Sequence, residues 1–576
     1  MIKHLVFIAS YLFYIYFYLN NCNKIIYPLF LFPFVIYLLI FAFSFFDYLI
    51  KREYLGAVFQ KYSKFLYLSL LFGFTPIFLK LNIPEPHNFF QRKLEIMMGS
   101  VYSIFVVVCT IKFILKFYFS YRLFNSKKIF WFLVFFFFFF YFAVSLWFNY
   151  ANQPTGDEPE YILMAHSIIH DRDLDLKNNF ENKDYKIFYK DKILKPQDAA
   201  IKKDGKLYSY HPFFISFLIS PFYFIGQRFG VTLFLNFIAS FLIGIIFLII
   251  LKIYNDTKIS LITTLVTGFS MPVFSHINHV ATDMMSGFIL TCSFFIMAFL
   301  RHKFFLFSFL IALSIWLHPR NIPLSFIILL LFIYKNRKDL RKMIFVTLLQ
   351  VFNFILFITV NKILYNKIIP SQGLEKAGES FLGGFHFDII KSAFAFAGLF
   401  FDQEFGLFFY TPVFMLIIAG YYFLYKQKRE IFYDLIFILV PFLIFISMWG
   451  EWRGGGGASP RFFISVIFTL VIPVSAIIYN FKDKFTRFIF YMLTYLGFIM
   501  SFFTFLIPWF RWNKGYGETW ILKIISSFIK IDVTNFFPSL WAVNKYTFIT
   551  LFFWVVLVVV LNIWTITGNK NQLTKN

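Results

Sequence analysis

The sequence predicts an all-α protein, a polytopic membrane helix bundle of about sixteen spans that carries one large polar loop. Three observations lead there. Apolar residues make up 60% of the 576 positions and charged residues only 14%, a balance unlike that of a water-soluble globular domain. Apolar runs of about 20 residues, each long enough to cross about 30 Å of hydrocarbon, recur along the whole length. Lysines and arginines gather at every second junction between these runs, as they do in short loops held on the cytoplasmic side. The 94 phenylalanines read as bulk apolar filler, because their spacing suggests no cofactor box. Cys22, Cys109 and Cys292 lie far apart and suggest neither a disulfide framework nor a metal cluster. The net charge of +25 suits short basic loops at an anionic inner leaflet and calls for no nucleic acid.

Taken in order, residues 1–20 have one early lysine and no small-residue cleavage site after them, so they read as an uncleaved helix. Spans near 4–19, 26–50, 62–79 and 96–119 form an additional N-terminal module, 1–125. A fifth span at 129–148 opens the core region, 126–480. It ends just before Gly156-Asp157-Glu158-Pro159-Glu160, and the chain stays polar to His211. Residues 213–226 are apolar but short and broken by Pro221, which suits an interfacial or half-inserted helix. Further spans fall near 231–252, 259–275, 281–300, 303–317, 321–335, 343–365, 406–425, 431–449 and 462–480. A C-terminal region, 481–576, adds spans at 487–508 and 546–566 and an outer loop. The alternating basic junctions put both termini in the cytoplasm and the 150–211 loop outside the inner membrane.

The junctions without basic clusters have a different chemistry. They hold Ser275-His276-Ile277-Asn278-His279 with Asp283, then His318-Pro319-Arg320, a loop at 366–404, Trp449 through the glycines at 454–457, and 509–545. Polar groups accumulated on one face of a lipid-embedded bundle are what an active site at the outer membrane surface requires. There is no Gly-x-Ser-x-Gly elbow, Walker-type loop, His-Glu-x-x-His pair or dinucleotide fingerprint. His276, His279 and Asp283 make a legitimate ligand set for a divalent metal, although histidines at a membrane interface are more often simple hydrogen-bonding residues. The four-glycine run reads as a flexible re-entry into the next helix. Arg461, just beyond it, is placed to fork onto a phosphate.

Four segments resemble the GT-C superfamily of polyprenyl-phosphate-sugar-dependent membrane glycosyltransferases, nearest to its protein O-mannosyltransferase-like group, glycosyltransferase family 39. They are Gly156-Asp157-Glu158-Pro159 running into Asp171-Arg172-Asp173-Leu174-Asp175; Tyr210-His211-Pro212; Phe401-Asp402-Gln403-Glu404-Phe405-Gly406-Leu407 with Tyr410-Thr411-Pro412; and Trp449 through Ser459-Pro460-Arg461-Phe462. Together they cover about 125–480. Members of that family usually place the acidic loop after their first helix, whereas four extra spans precede it here.

The resemblance implies a mechanism. A sugar leaves a lipid phosphate for an acceptor hydroxyl, with inversion, and the acceptor is a lipid, glycan or protein. Asp157 takes the family's general-base position with Glu158 beside it, and Asp283 is a second polar residue facing the cavity. Arg461 and then Arg320 hold the phosphate, with His211 and Arg453 as further substrate-binding candidates. No cofactor is certain, and a divalent metal stays open. The competing class is a lipid or glycan transporter or flippase without chemistry, which intramembrane charges and broken helices would also suit.

Overall fold

A computed structural model describes residues 124–569, apart from 191–192, 198–200, 367, 369–386, 456 and 514, together with Val106 and Thr110. The four spans expected before position 125 lie outside the described residues. The chain divides into two compact units, Met1–Gln153 with Phe505–Pro508, and Pro154–Thr504 with Trp509–Asn576. In the first unit the described helix is Ser126–Ala151, where a span was expected at 129–148. Asn125 caps it by accepting from the Lys128 N–H (2.9 Å).

The second unit is helical apart from a small antiparallel hairpin, Ile201–Lys203 with Lys206–Tyr208, inside the polar loop. Among all described residues, eight helices are long and apolar enough to cross a membrane, which makes this an all-α membrane protein. Four expected spans are shorter. The helices Thr257–Phe269, Phe304–Leu317, Asn321–Lys335 and Ile417–Gln427 have 13, 14, 15 and 11 residues. At 1.5 Å per residue each covers only about 16–23 Å, less than a hydrocarbon core. Proline and polar residues set these limits. Pro272 follows Phe269 in a buried turn, and Pro412 breaks the 406–425 run into Leu407–Tyr410, a 3-10 turn at Pro412–Leu416 and Ile417–Gln427.

The short segment at 213–226 is continuous in sequence with the next span as Phe214–Tyr254, but Gly226 and Gln227 leave helical geometry. Gln227 has φ 48°, and Phe222 stacks on Phe234 across the break at 4.3 Å, so the chain turns back on itself there. Two further helices lie in stretches expected to be loops, Ile389–Phe401 and Trp520–Ile529.

The spans Arg461–Tyr479 and Thr282–Phe299 form the centre, with 94% and 78% of their apolar windows buried, against 22% for Leu340–Tyr365 and 17% for Thr547–Gly568. Side-chain amides clamp the helices where hydrocarbon offers no other partner. Asn353 accepts from the Trp316 indole (2.9 Å), Gln350 donates to Ser308 O (2.8 Å), and Asn562 accepts from Ala419 N (2.7 Å). The basic junctions meet at one end. Lys335 bonds Asp434 (2.9 Å), Arg301 bonds Glu430 (2.9 Å), and Lys252, Lys428 and Arg429 line one recess there. Asn321, near the opposite end, donates to Ser286 (2.8 Å) and fixes two of the helices that carry charged residues.

The two central spans approach through Gly287, where a Cβ would stand 2.6 Å from both the Cγ2 and the carbonyl oxygen of Ile464. Backbone cannot give way as a flexible side chain does, so Gly287→Val should destabilise the bundle by about 1–3 kcal/mol. Thermal unfolding of the purified protein in detergent reads this directly. A variant as stable as the parent would mean that the approach is not tight.

Candidate active site

The acidic stretch folds into a turn and the first turn of a helix, Glu158–His170. Gly156 supplies the left-handed turn (φ 61°) and Pro159 sits in the first helical turn, where its missing N–H costs nothing. Its three acids then have different fates. The Glu158 carboxylate is buried and accepts from Thr155 N (3.0 Å) and Val280 N (2.9 Å). Glu160, also buried, accepts from the Ser209 hydroxyl (2.5 Å) and Gln197 N (3.3 Å). Asp157 alone of the three keeps access to solvent, with 22% of its side chain exposed. Glu158 therefore braces this turn against the 271–281 turn, and its oxygens are not presented to a substrate.

Asp157 belongs to a four-membered charge cluster built from four distant parts of the chain. Asp283, in the first turn of the Thr282–Phe299 helix, is fully buried. Its Oδ1 accepts from Arg320 Nη2 (2.6 Å) and its Oδ2 from Arg461 Nε (2.9 Å). Arg461 also donates through Nη1 to Gly454 O (2.9 Å), and its Nη2 stands 3.5 Å from Asp157 Oδ2. Two carboxylates and two guanidiniums give zero formal charge, the condition under which ions survive in an apolar interior. Asp283 thus faces its two arginines and no open cavity. Arg320 is as deeply held, with its guanidinium 4.5 Å above the Phe462 ring.

The glycine run has a specific use. Gly454 has φ 82°, and a Cβ on it would lie 3.1 Å from Arg461 Cδ and 3.3 Å from the Phe462 ring. The absent side chains let the main chain close over the arginine and offer it a carbonyl.

His211 reaches the cluster from the end of the polar loop, with Nε2 3.6 Å from Asp157 Oδ1 and its ring packed on Tyr210 and Tyr161. His276 and His279 do not join Asp283 as ligands. His276 Nδ1 is engaged with Pro272 O (3.0 Å) and Ser275 Oγ (2.9 Å), and the two rings meet edge to face. Both Asp283 oxygens are occupied by guanidiniums, whose charge also repels a cation. Among the described residues no three His, Cys, Asp or Glu side chains converge to hold a metal. Arg453 lies apart, 3.7 Å over the Trp541 ring and paired with Glu451 (3.3 Å).

Arg511 was not singled out in the sequence, and Asp402 and Glu404, although part of the third quoted segment, were given no individual role. Arg511 is almost fully buried and donates to Asn278 Oδ1 (2.6 Å). The Glu404 carboxylate takes the N–H groups of Gly515 and Gly517 (both 2.9 Å). Asp402 takes four, from Glu404, Phe405, Leu540 and Trp541. Burial still pushes the Asp402 carboxyl up to about 6, against the pull of those four donors. The available signal was charge inside an apolar region: Glu404 and Arg511 each sit among aromatic and aliphatic neighbours. Compared with family models, curated proteins and solved structures, the chain matches none.

Burial lowers His276 from its ordinary 6.5 to about 4 and lowers His279 as well. The unfolded chain takes up these protons below about pH 6.5, while folded His276 resists until about pH 4. Stability should therefore fall as pH drops through that window, by up to about 3 kcal/mol from His276. His276→Gln should flatten part of this acid limb in denaturation followed at pH 7, 5.5 and 4.5. An unchanged slope would remove His276 from the linkage.

Proposed function

We propose that the protein is a membrane glycosyltransferase that moves a sugar from a polyprenyl-phosphate donor to an acceptor hydroxyl, with Asp157 as general base. The observation that carries this reading is the accessible Asp157 carboxylate beside the Arg461 guanidinium, at the polar end of a lipid-compatible bundle. The acceptor oxygen attacks the anomeric carbon as its proton passes to Asp157. The bond from that carbon to the phosphate oxygen breaks on the opposite face, so the configuration inverts, and the lipid phosphate leaves with the electron pair.

Arg461 suits the leaving group. Asp283 and Gly454 O fix its Nε and Nη1 at 2.9 Å, whereas the 3.5 Å from Nη2 to Asp157 is longer than a direct charge-assisted hydrogen bond. That edge is the one at which a phosphate oxygen replaces a loose contact. Asp283 and Arg320 act as positioning residues in this scheme, and His211 limits how Asp157 turns. The site end faces outside the cell in this reading, because the opposite end gathers the basic junctions.

Orientation has its own test. Exposed Lys338 serves as the inner reporter and exposed Lys177 as the outer one. A membrane-impermeant thiol reagent on intact cells should label Lys177→Cys and spare Lys338→Cys. Equal labelling of both removes the orientation and the mechanism with it.

Chemistry is tested in vesicles supplied with polyprenyl-phosphate sugars, with turnover expressed per folded molecule. Asp157→Asn keeps the shape but cannot take the proton, and should lose about 10²–10⁴-fold in transfer. Arg461→Lys should keep weak activity and Arg461→Ala almost none, mainly through turnover, because a lysine's point charge cannot keep the Asp283 and Gly454 contacts while it meets the phosphate. Near-full transfer by Asp157→Asn sinks the base assignment. A carrier would instead keep moving lipid-linked substrate without Asp157.

A further inference from the structure

The segment 509–545 holds a ten-residue helix, Trp520–Ile529, whose role the site does not explain. At 3.6 residues per turn all its apolar residues fall on one arc of about 200°, with Lys523, Ser526 and Ser527 on the other. The protein covers this arc only in the first turn of the helix. Ile521 and Leu522 are buried, whereas Ile525, Ile529 and Phe528 are exposed, Phe528 by 82%.

This surface continues into lipid-facing protein. Exposed Phe536 accepts through its carbonyl from the Trp554 indole (2.9 Å), and Phe537 stacks on Trp554 at 5.1 Å. Trp554 lies two turns, or about 11 Å, inside the Thr547–Gly568 span, the least buried of the eight. The 533–537 turn therefore packs beside the first two turns of that span, the end nearest the bilayer boundary. The charges around the helix fit that boundary. Lys523 is held by Glu518 (2.9 Å) over the Trp520 ring (5.7 Å), and exposed Lys530 ends the helix. Indole and ammonium groups together mark a bilayer boundary. The segment is also tethered at both ends. Glu404 holds Gly515 and Gly517, and Asp402 holds Leu540 and Trp541.

We propose that the Trp520–Ile529 helix lies in the lipid–water interface, its exposed apolar arc against acyl chains and Lys523 and Lys530 at the level of anionic headgroups. The helix thereby fixes the height of the Asp157 end relative to the membrane surface. The proposal stands whether or not that end transfers sugar.

The test uses full-length protein with Cys22, Cys109 and Cys292 replaced by serine, in phosphatidylcholine–phosphatidylglycerol vesicles. Nitroxide labels go on Phe528→Cys and, separately, Ser527→Cys, both exposed positions. Relaxation by oxygen, which concentrates among acyl chains, is compared with relaxation by a water-soluble nickel chelate. The ratio of oxygen to chelate effect should be several-fold higher at 528 than at 527. Ile529→Cys repeats the 528 reading where that label disturbs folding. Chelate-dominated relaxation at both 528 and 529 puts the face in water and overturns the proposal. Protection from both agents, with cross-linking to a second copy or another protein, overturns it in favour of a protein partner.

Discussion

A carboxylate at the centre of an apolar bundle must be matched by cations, and the arrangement of the polar end follows from how Asp283 is matched. Its partners come from 37 and 178 residues further along the chain, so one buried charge draws three helices to a single point. Desolvating such ions costs several kcal/mol each unless pairing and hydrogen bonds are complete. Arg320 and Arg461 supply the cations, and the Gly454 carbonyl gives Arg461 a second fixed contact. The close approach at Gly287 and the bare glycine run belong to the same requirement, because either side chain would hold the partners apart.

Buried acids around this cluster serve a second purpose. Glu158, Glu160, Asp402 and Glu404 each accept from backbone N–H groups on segments remote from their own, and Glu160 also from the remote Ser209 hydroxyl. Anions satisfied by main-chain donors hold loops in place, and each gives its loop one position. The polar end is thus a set of pinned loops over a helical bundle, with Asp157 left as the accessible member of its acidic turn.

This division suits a reaction in which charge develops on a leaving phosphate. Donors fixed before the reaction need no reorganisation as charge appears, and a site walled by apolar helices makes each of them count for more than it would in water. Arg461 is held on two edges by groups that do not react and faces Asp157 with the third. A helix lying at the membrane boundary on the same loops would bring a lipid-borne headgroup to that edge at a set height.

The sequence by itself determined the membrane class, the positions of the long spans and the separation of basic from acidic and histidine-bearing junctions. These are local properties, set by the transfer energies of about twenty residues at a time. It also singled out Asp157, Asp283, Arg320 and Arg461, since charge beside hydrocarbon is conspicuous in a linear reading. Only the tertiary structure decided which of these touch, that Glu158 is a brace, that Arg453 stacks away from the cluster, and that two helices lie within the stretches 366–404 and 509–545. Those outcomes depend on pairing across as many as 178 residues and on which carboxylate oxygen finds which N–H. No period or composition along the chain encodes such contacts; they exist only once the helices have packed.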